Sequence, residues 1–477
     1  MQKYKELNGK PKKNGKLFCL APYFYYFCKL MRRNNYEFLT TAPVPKVIGT
    51  LAVPTIISMM VTSIYSLADT YFVSQLNTQA TAAVGIVFTV MSIFQAVGYF
   101  YGHGSGNYIA MQLGAKNTSE ARTMAVRGFA YAILTGVVLA LLGMLFLPQL
   151  GRWLGSTETI YPYTLQYLKF ILIGCPFIIG SLTLNLQLRF RGDALFAMFG
   201  ILSGAILNIL LDPILIFYAD MGISGAGLAT LISQMTSFLV LLAITLCLRP
   251  SKSSKPITLN SQFSTLNYIF RGGMPSITRQ GLGTIATLLL NLTAAGFGDA
   301  AVAAMSIVTR ITFLVYSAVI GLGHGFQPLC GFCYGAHLYH RVSSGFWFSV
   351  RVGTAFLTIV TIVGFAFTNE IIALFRDDPE VIAIGDQALR WQLLTYPLGA
   401  FIMHSNMMMQ TVNRPLEANL LAAARRGLFF IPFILILPPF FGLFGLIITQ
   451  ACADICAFLL TLPIVLGWLR ELKINNK

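Results

Sequence analysis

Charged residues are scarce in this sequence: only 10% of its 477 residues are Asp, Glu, Lys or Arg, whereas 56% are hydrophobic. A soluble globular protein carries about 25% charged residues, so a soluble fold is excluded. Apolar runs of about 20 residues recur along the chain, and each is long enough to cross the hydrocarbon core of a bilayer. Such a span must be helical, because lipid offers no hydrogen-bond partners to the backbone. The sequence therefore predicts an all-α polytopic membrane protein.

Acidic residues are also few, 17 against 33 basic ones, which gives a net charge of +16. Ten of the basic residues precede residue 47, and most of the others fall in alternate short loops. The intervening loops hold acids instead, as in 377–380. A nucleic-acid-binding patch would not skip every second loop, so no nucleic-acid partner is expected. This positive-inside pattern predicts a multi-pass protein of the cell membrane, in contact with the lipid bilayer, with both termini in the cytoplasm.

Patterns typical of enzymes and of secreted proteins are missing. The eight cysteines form no disulfide framework, and Cys330-x-x-Cys333 lacks the second pair that a metal site of this spacing requires. We interpret these two residues as structural thiols. No clustered nucleophile or metal-binding constellation is present. The sequence therefore predicts neither an enzyme nor a cofactor, apart from H⁺ or Na⁺ as a coupling ion.

Apolar runs that are bounded by Gly, Pro and charged residues predict twelve membrane spans. Their approximate limits are 47–74, 80–107, 122–147, 160–188, 194–218, 223–248, 267–295, 299–327, 342–368, 385–411, 416–440 and 443–468. The longest polar stretch inside this body, 249–266, is predicted to be a cytoplasmic linker. It separates a first six-helix lobe (47–248) from a second (267–468), which a cytoplasmic tail (469–477) follows.

The two lobes are copies of one another. Pro275 follows Pro54 at an offset of 221 (275 − 54), and Pro397 follows Pro176 at the same offset. Gly102-His103-Gly104 and Gly323-His324-Gly325 keep this offset too, and close helix packing is the best explanation for these motifs. Because each copy has an even number of spans, both enter the membrane with the same orientation. The repeat is therefore parallel, and a central site between the lobes is expected.

The basic N-terminal segment, 1–46, has no counterpart in the second copy. Its moderately apolar part, Leu17 to Met31, suits an interfacial segment better than a thirteenth span. In an alternative interpretation, Met31 is the true start and the segment 1–30 is an upstream artefact. Both interpretations stay open at this point.

Only a few acids fall inside the spans, where each costs about 2.5–3.5 kcal/mol at a helix centre. Asp69 lies in the first span, Asp212 in the fifth and Asp454 in the last. Helical spacing places Asp69 on one face with Pro54, Ser58, Thr62 and Tyr65. By the same spacing Asn208 shares a face with Asp212, and Thr230 with Gln234 and Ser237.

The simplest arrangement of three polar helix faces in one lobe is around a shared cavity. Thr62, Ser58, Gln234 and Ser237 are as readily explained as interhelical hydrogen bonds. The two carboxylates are not, because no intramembrane Lys or Arg at a matching depth neutralises them. They would titrate as a coupled pair or bind a cation, which suits a group that takes up H⁺ or Na⁺ on one side and releases it on the other.

The second lobe lacks these acids, since Leu290 and Phe433 stand where Asp69 and Asp212 would be. Its spans carry other polar residues, namely Arg279, Gln280, Thr284, Asn291 and Arg310. Arg279 and Arg310 are explained equally well as structural anchors and as residues lining a cavity. We expect the cation chemistry in the first lobe and the substrate cavity to include Thr62, Tyr65, Gln234, Arg279, Gln280 and Asn291.

The chain resembles the multidrug and toxic compound extrusion (MATE) family, particularly its bacterial multidrug efflux branch. The resemblance rests on the order and spacing of segments from about residue 47 to 468: Leu51-Ala-Val-Pro54, Leu67-Ala-Asp69-Thr-Tyr-Phe-Val, Asn208-Ile-Leu-Leu-Asp212-Pro213, Gly222-Ile-Ser-Gly-Ala-Gly-Leu-Ala-Thr230, Gly325-Phe-Gln-Pro328 and Tyr334-Gly-Ala336. It implies two six-helix lobes around a V-shaped cavity that opens to each side in turn. It also implies that Asp69, Asn208, Asp212 and Thr230 form the cation site and that Pro54 is a hinge in the first helix.

We therefore expect a monomeric secondary transporter that exports small organic cations or drugs in exchange for H⁺ or Na⁺. One rival is a flippase for a lipid-linked precursor, whose cavity should be ringed with cationic side chains such as Arg279 and Arg310. A membrane-embedded enzyme or a channel is disfavoured, because the acids are paired in one lobe only and no catalytic constellation accompanies them.

Overall fold

The computed structural model of the protein describes residues 35–248 and 262–474. The segment 1–34, with both interpretations of the start, and most of the predicted linker lie outside the described residues. The helices, in chain order, are α1 (Asn35–Thr41), α2 (Val44–Ser74), α3 (Thr78–Gly114), α4 (Thr118–Leu145), α5 (Leu147–Trp153), α6 (Tyr161–Phe190), α7 (Ala194–Pro213), α8 (Gly222–Cys247), α9 (Gln262–Ala295), α10 (Asp299–Gly335), α11 (Tyr339–Ala366), α12 (Thr368–Ala373), α13 (Pro379–Thr411), α14 (Pro415–Ala423) and α15 (Phe430–Ile474).

Twelve membrane spans follow from these helices. A π-helical turn, Ile214–Tyr218, extends α7, and a second one, Ala424–Leu428, joins α14 to α15. α15 bends sharply at Gly442, where φ is 59°, so the stretch from α14 to the end of α15 crosses twice. In the described part of the chain, nine continuous helical stretches are long and apolar enough to span a membrane, the one from α14 to α15 among them. α9 and α13 are equally long but more polar.

Sequence-local signals explain where several of these helices begin. The Asn77 side chain accepts a hydrogen bond of 2.7 Å from the Ala80 amide at the start of α3. Asp378 accepts from the Glu380 amide at 3.0 Å at the start of α13. In both places the side chain satisfies an amide that has no partner within the helix. α3 and α10 each extend beyond the predicted spans, to Gly114 and Gly335. The Gly-His-Gly motifs, which come near the ends of the predicted spans, therefore lie in the interior of these helices.

The parallel repeat is visible in the backbone as well as in the sequence. Lys116 and His337, which occupy equivalent positions of the two copies, both adopt a positive φ, 63° and 58°, directly after α3 and α10. The Asn185 amide donates to the Ala197 carbonyl at 2.7 Å, and the Asn406 amide donates to the Ala418 carbonyl at the same distance. These paired features confirm that the two lobes are structural repeats, as the constant sequence offset predicted.

The lobes meet at one end of the bundle. We call it the basic end: α2 begins there, α3 and α10 end there, and Lys116, Arg191, Arg341 and Arg414 are near it. α2 packs on α10 of the other lobe, and α9 packs in the same way on α3. One hydrophobic core, which includes Leu51 and Phe326, joins both lobes at this end, whereas each lobe has a core of its own towards the opposite end. The contact between the lobes is thus concentrated at the basic end.

Gly325 makes the contact between α2 and α10 possible, because a Cβ at this position would lie 2.6 Å from the Cα of Ala52. We expect Gly325→Ala to lower the free energy of unfolding by about 1–3 kcal/mol through overpacking. Gly281 in α9 has no atom within 4 Å of such a Cβ, so Gly281→Ala is the matched control and should not destabilise the protein. Thermal unfolding of both purified variants in detergent tests this. Equal midpoints would contradict the close approach.

Candidate functional site

The polar face of α2 begins with Pro54, which is buried inside a continuous helix. Ser58 donates to the Pro54 carbonyl and Thr62 to the Ser58 carbonyl, both at 2.8 Å. These hydroxyls are therefore satisfied within their own helix. Pro54 itself lies between two close contacts with α10, those of Ala52 with Gly325 and of Ile56 with Gly321. A change of bend at Pro54 would therefore act directly on the contact between the lobes.

The two carboxylates of the first lobe lie together. α2 supplies Asp69 and α7 supplies Asp212, which is fully buried and interacts electrostatically with Asp69. Asn208, one turn before Asp212 on α7, donates to the Asp212 carboxylate at 3.3 Å. Tyr65 lies within electrostatic range of both carboxylates and also contacts Gln234 of α8. The structure thus brings together the acids that the sequence placed on separate helices.

Tyr167 of α6 completes this cluster, and sequence reasoning missed it. Its side chain is fully buried beside Asp69 and Thr230. The repeat gave no signal, because Ala388 stands at the equivalent position of the second lobe. The only available signal was a tyrosine within an apolar span, a residue whose hydroxyl usually finds a partner when it is buried. We define the acid site by Asp69, Tyr167, Asn208, Asp212 and Thr230.

The acid site is rich in oxygen atoms without partners. One oxygen of each carboxylate, the Asn208 carbonyl oxygen and the hydroxyls of Tyr167 and Thr230 are buried and form no well-aligned hydrogen bond with a described protein group. Within the described residues, no Lys or Arg pairs with either carboxylate. Buried acceptors without partners are costly and need an explanation. A bound proton or a hard cation such as Na⁺, which prefers oxygen ligands, would satisfy them.

Among the described residues of the second lobe, no equivalent carboxylate site is present. Leu290 and Phe433, the equivalents of the two acids, belong to its apolar core or pack against it. Asp454 is not free for coupling, because it forms an ion pair with Arg425. Sequence reasoning missed Arg425 and its neighbour Arg426, although two adjacent arginines inside the predicted span 416–440 are themselves a signal.

Arg279 lies at the contact between the lobes, away from the acids. It donates to the Asn406 side chain at 2.9 Å and lies within electrostatic range of the stacked rings of His103 and His324, whose centroids are 5.3 Å apart. Arg189, from α6, is buried in the same region.

Three further polar residues of the second lobe are less constrained: Gln280 and Asn291, which were predicted to line the substrate cavity, and Arg310, for which an anchoring role was equally open. Gln280 is half-buried, whereas Asn291 and Arg310 are exposed. None of these three side chains forms a hydrogen bond within the described part of the chain. The structure therefore assigns them no partner, and their place in a substrate cavity stays a prediction.

Two parallel six-helix lobes that meet at one end, with a carboxylate site inside one lobe, are typical of a membrane transporter. The model of the family described as MatE matches residues 54–214 and 275–447, one stretch in each lobe. The chain belongs to this family.

Relatives of known name agree with this assignment. The multidrug export protein MepA of Staphylococcus haemolyticus (strain JCSC1435) is 26% identical over 415 residues, which cover 86% of this chain and 90% of that protein. MepA of Staphylococcus aureus (strain MSSA476) is 26% identical over 434 residues, 90% and 95% of the two chains. A solved structure of a multidrug resistance MATE family transporter of the MOP superfamily, in an outward-facing conformation, matches with a TM-score of 0.86 and 26% identity over 92% of this chain and 99% of that one.

Proposed function

We propose that this protein exports small, cationic amphipathic compounds across the cell membrane in exchange for H⁺ or Na⁺. The observation that carries the proposal is the acid site. Its two carboxylates interact with each other, each has one buried oxygen without a well-aligned hydrogen bond, and neither has a basic partner among the described residues. The relatives described above are multidrug export and multidrug resistance proteins, which supports the substrate class.

In the proposed cycle, the coupling ion enters the acid site from the side opposite the basic end, which the positive-inside pattern places outside the cell. Asp69 and Asp212 supply negative charge, while Asn208, Thr230 and Tyr167 supply neutral oxygens. Asp69 and Pro54 lie on the same helix, about 22 Å apart at 1.5 Å per residue. A change at Asp69 can therefore be passed along α2 to the contact with α10, and the lobes would then open to the cytoplasm and to the outside in turn.

The flippase alternative is favoured by one observation. Arg189 is buried and Arg279 half-buried where the lobes meet, and no acid pairs with either within the described residues. A lipid-linked precursor with a diphosphate group would suit such a place. Its headgroup would bind near the basic end, whereas an organic cation would bind towards the acid site.

Transport in liposomes separates these functions and identifies the ion. We expect ethidium to move against its gradient when an inward H⁺ or Na⁺ gradient is imposed, with only one of the two ions effective at constant membrane potential. One-for-one exchange of two monovalent cations moves no net charge, so an imposed tenfold ion gradient supplies about 1.4 kcal/mol and sustains at most about a tenfold ethidium gradient. If ethidium movement does not depend on either gradient, and the protein flips a fluorescent diphosphate lipid, the flippase function would replace this proposal.

A further inference from the structure

The second lobe contains a saturated ion pair inside its spans. Arg425 Nε lies 2.7 Å from Asp454 Oδ1, and Arg425 Nη2 lies 3.1 Å from Asp454 Oδ2. The carboxylate also accepts from Gln450 at 2.7 Å and from Thr395 at 3.3 Å. The guanidinium of Arg425 stacks on the Tyr316 ring at 4.3 Å. Asp454 is therefore neutralised by Arg425, and its oxygens have all their partners nearby.

Arg426, the next residue, has no such partner. Within the described part of the chain its guanidinium donates no hydrogen bond and has no carboxylate within ion-pair distance. It lines a small pocket together with Leu290, Thr309, Thr312, Gln392 and Gln450. The Gln392 carbonyl oxygen accepts from Thr312 at 2.8 Å, while its amide nitrogen donates to no described protein group. Two donors are thus available at this pocket, one of them charged.

The pocket occupies the place that the acid site has in the first lobe. Leu290, which lines it, is the repeat equivalent of Asp69. The charge, however, is reversed: the first lobe combines two carboxylates, whereas here two guanidinium groups accompany a single carboxylate, which is paired with Arg425. An unpaired positive charge inside a span is costly and marks a functional site with a missing partner.

We infer that this pocket binds a small monovalent anion, of which chloride is the abundant representative. The space has room for about one water-sized particle and is too small for an organic drug. A halide is somewhat larger than water, so the side chains of Arg426 and Gln392 must move apart slightly to admit it. Arg426 would supply the charge and one hydrogen bond, and the Gln392 amide a second. The site is separate from the acid site and does not depend on which ion drives transport.

The test is the thermal unfolding of the purified full chain in potassium salts. The potassium concentration is held constant while gluconate is replaced stepwise by chloride or by bromide, and the midpoint of unfolding is measured. We expect a saturable rise of the wild-type midpoint with either halide, and binding about tenfold weaker or lost in Arg426→Gln. Arg310→Gln, which removes an exposed arginine of the same lobe, should respond like the wild type. Arg426→Lys keeps the positive charge and should retain halide binding. It can be measured even if Arg426→Gln fails to fold.

Crystals soaked in bromide should show anomalous density beside Arg426. A wild-type midpoint that does not change with either halide, or an unchanged halide response in Arg426→Gln, would overturn the inference. Because none of these measurements involves transport, their failure is distinct from failure of the proposed export function.

Discussion

Asp69→Asn and Asp212→Asn are each expected to abolish coupled export while the protein still inserts and folds. Asparagine has nearly the same shape as aspartate but carries no negative charge and takes up no proton. Each variant would leave one carboxylate among the oxygens of the acid site, so the coupling ion would lose half of its compensating charge. The substrate gradient that the exchange sustains should then collapse.

Ethidium efflux from cells, measured with matched amounts of protein in the membrane, checks this expectation. Asp299→Asn is the matched control, because it removes an exposed carboxylate from the first turn of α10. It should export like the wild type. Asp69→Glu retains the charge and should retain part of the activity. If both asparagine variants export ethidium at the wild-type rate, the acid site is not the coupling site.

Much of the fold was predictable because a bilayer leaves few choices. Apolar length predicts spans, lipid forces them to be helical, and the constant offset between matching motifs predicts two parallel lobes. The ends of the helices were less predictable. α3 and α10 continue beyond the apolar runs to Gly114 and Gly335, where each helix packs closely on the backbone of the other, at Phe332 and Met111. This packing is a tertiary effect, and hydropathy alone does not report it.

The acid site was predictable in part for the same reason. Charge inside an apolar span draws attention to Asp69 and Asp212, and helical spacing adds Asn208. Tyr167 carries no charge, and only the packing of α6 against the acids brings its hydroxyl into the site. The partner of Asp454 was also out of reach, because Arg425 is distant in sequence and lies on the other side of the bend at Gly442.

Asp454→Asn is expected to destabilise the protein by about 3–5 kcal/mol, because it leaves the buried guanidinium of Arg425 without its counter-charge. Only 1% of the Asp454 side chain and 12% of the Arg425 side chain are exposed, so water cannot replace the lost partner. Arg414 and Glu417 form a partly exposed pair near the basic end, with 44% and 32% of their side chains exposed. Glu417→Gln should therefore cost about 1 kcal/mol or less.

The double variant Arg425→Gln/Asp454→Asn provides the sharper test of this ion pair. It removes both charges and leaves two neutral amides that can bond to each other, to Gln450 and to Thr395. We therefore expect it to be more stable than either single variant. Equilibrium unfolding by SDS titration of the purified proteins gives the four free energies of the cycle. If Asp454→Asn unfolds at the wild-type SDS fraction, the pair does not stabilise the lobe. Additive effects of the two changes would show that Arg425 and Asp454 act independently.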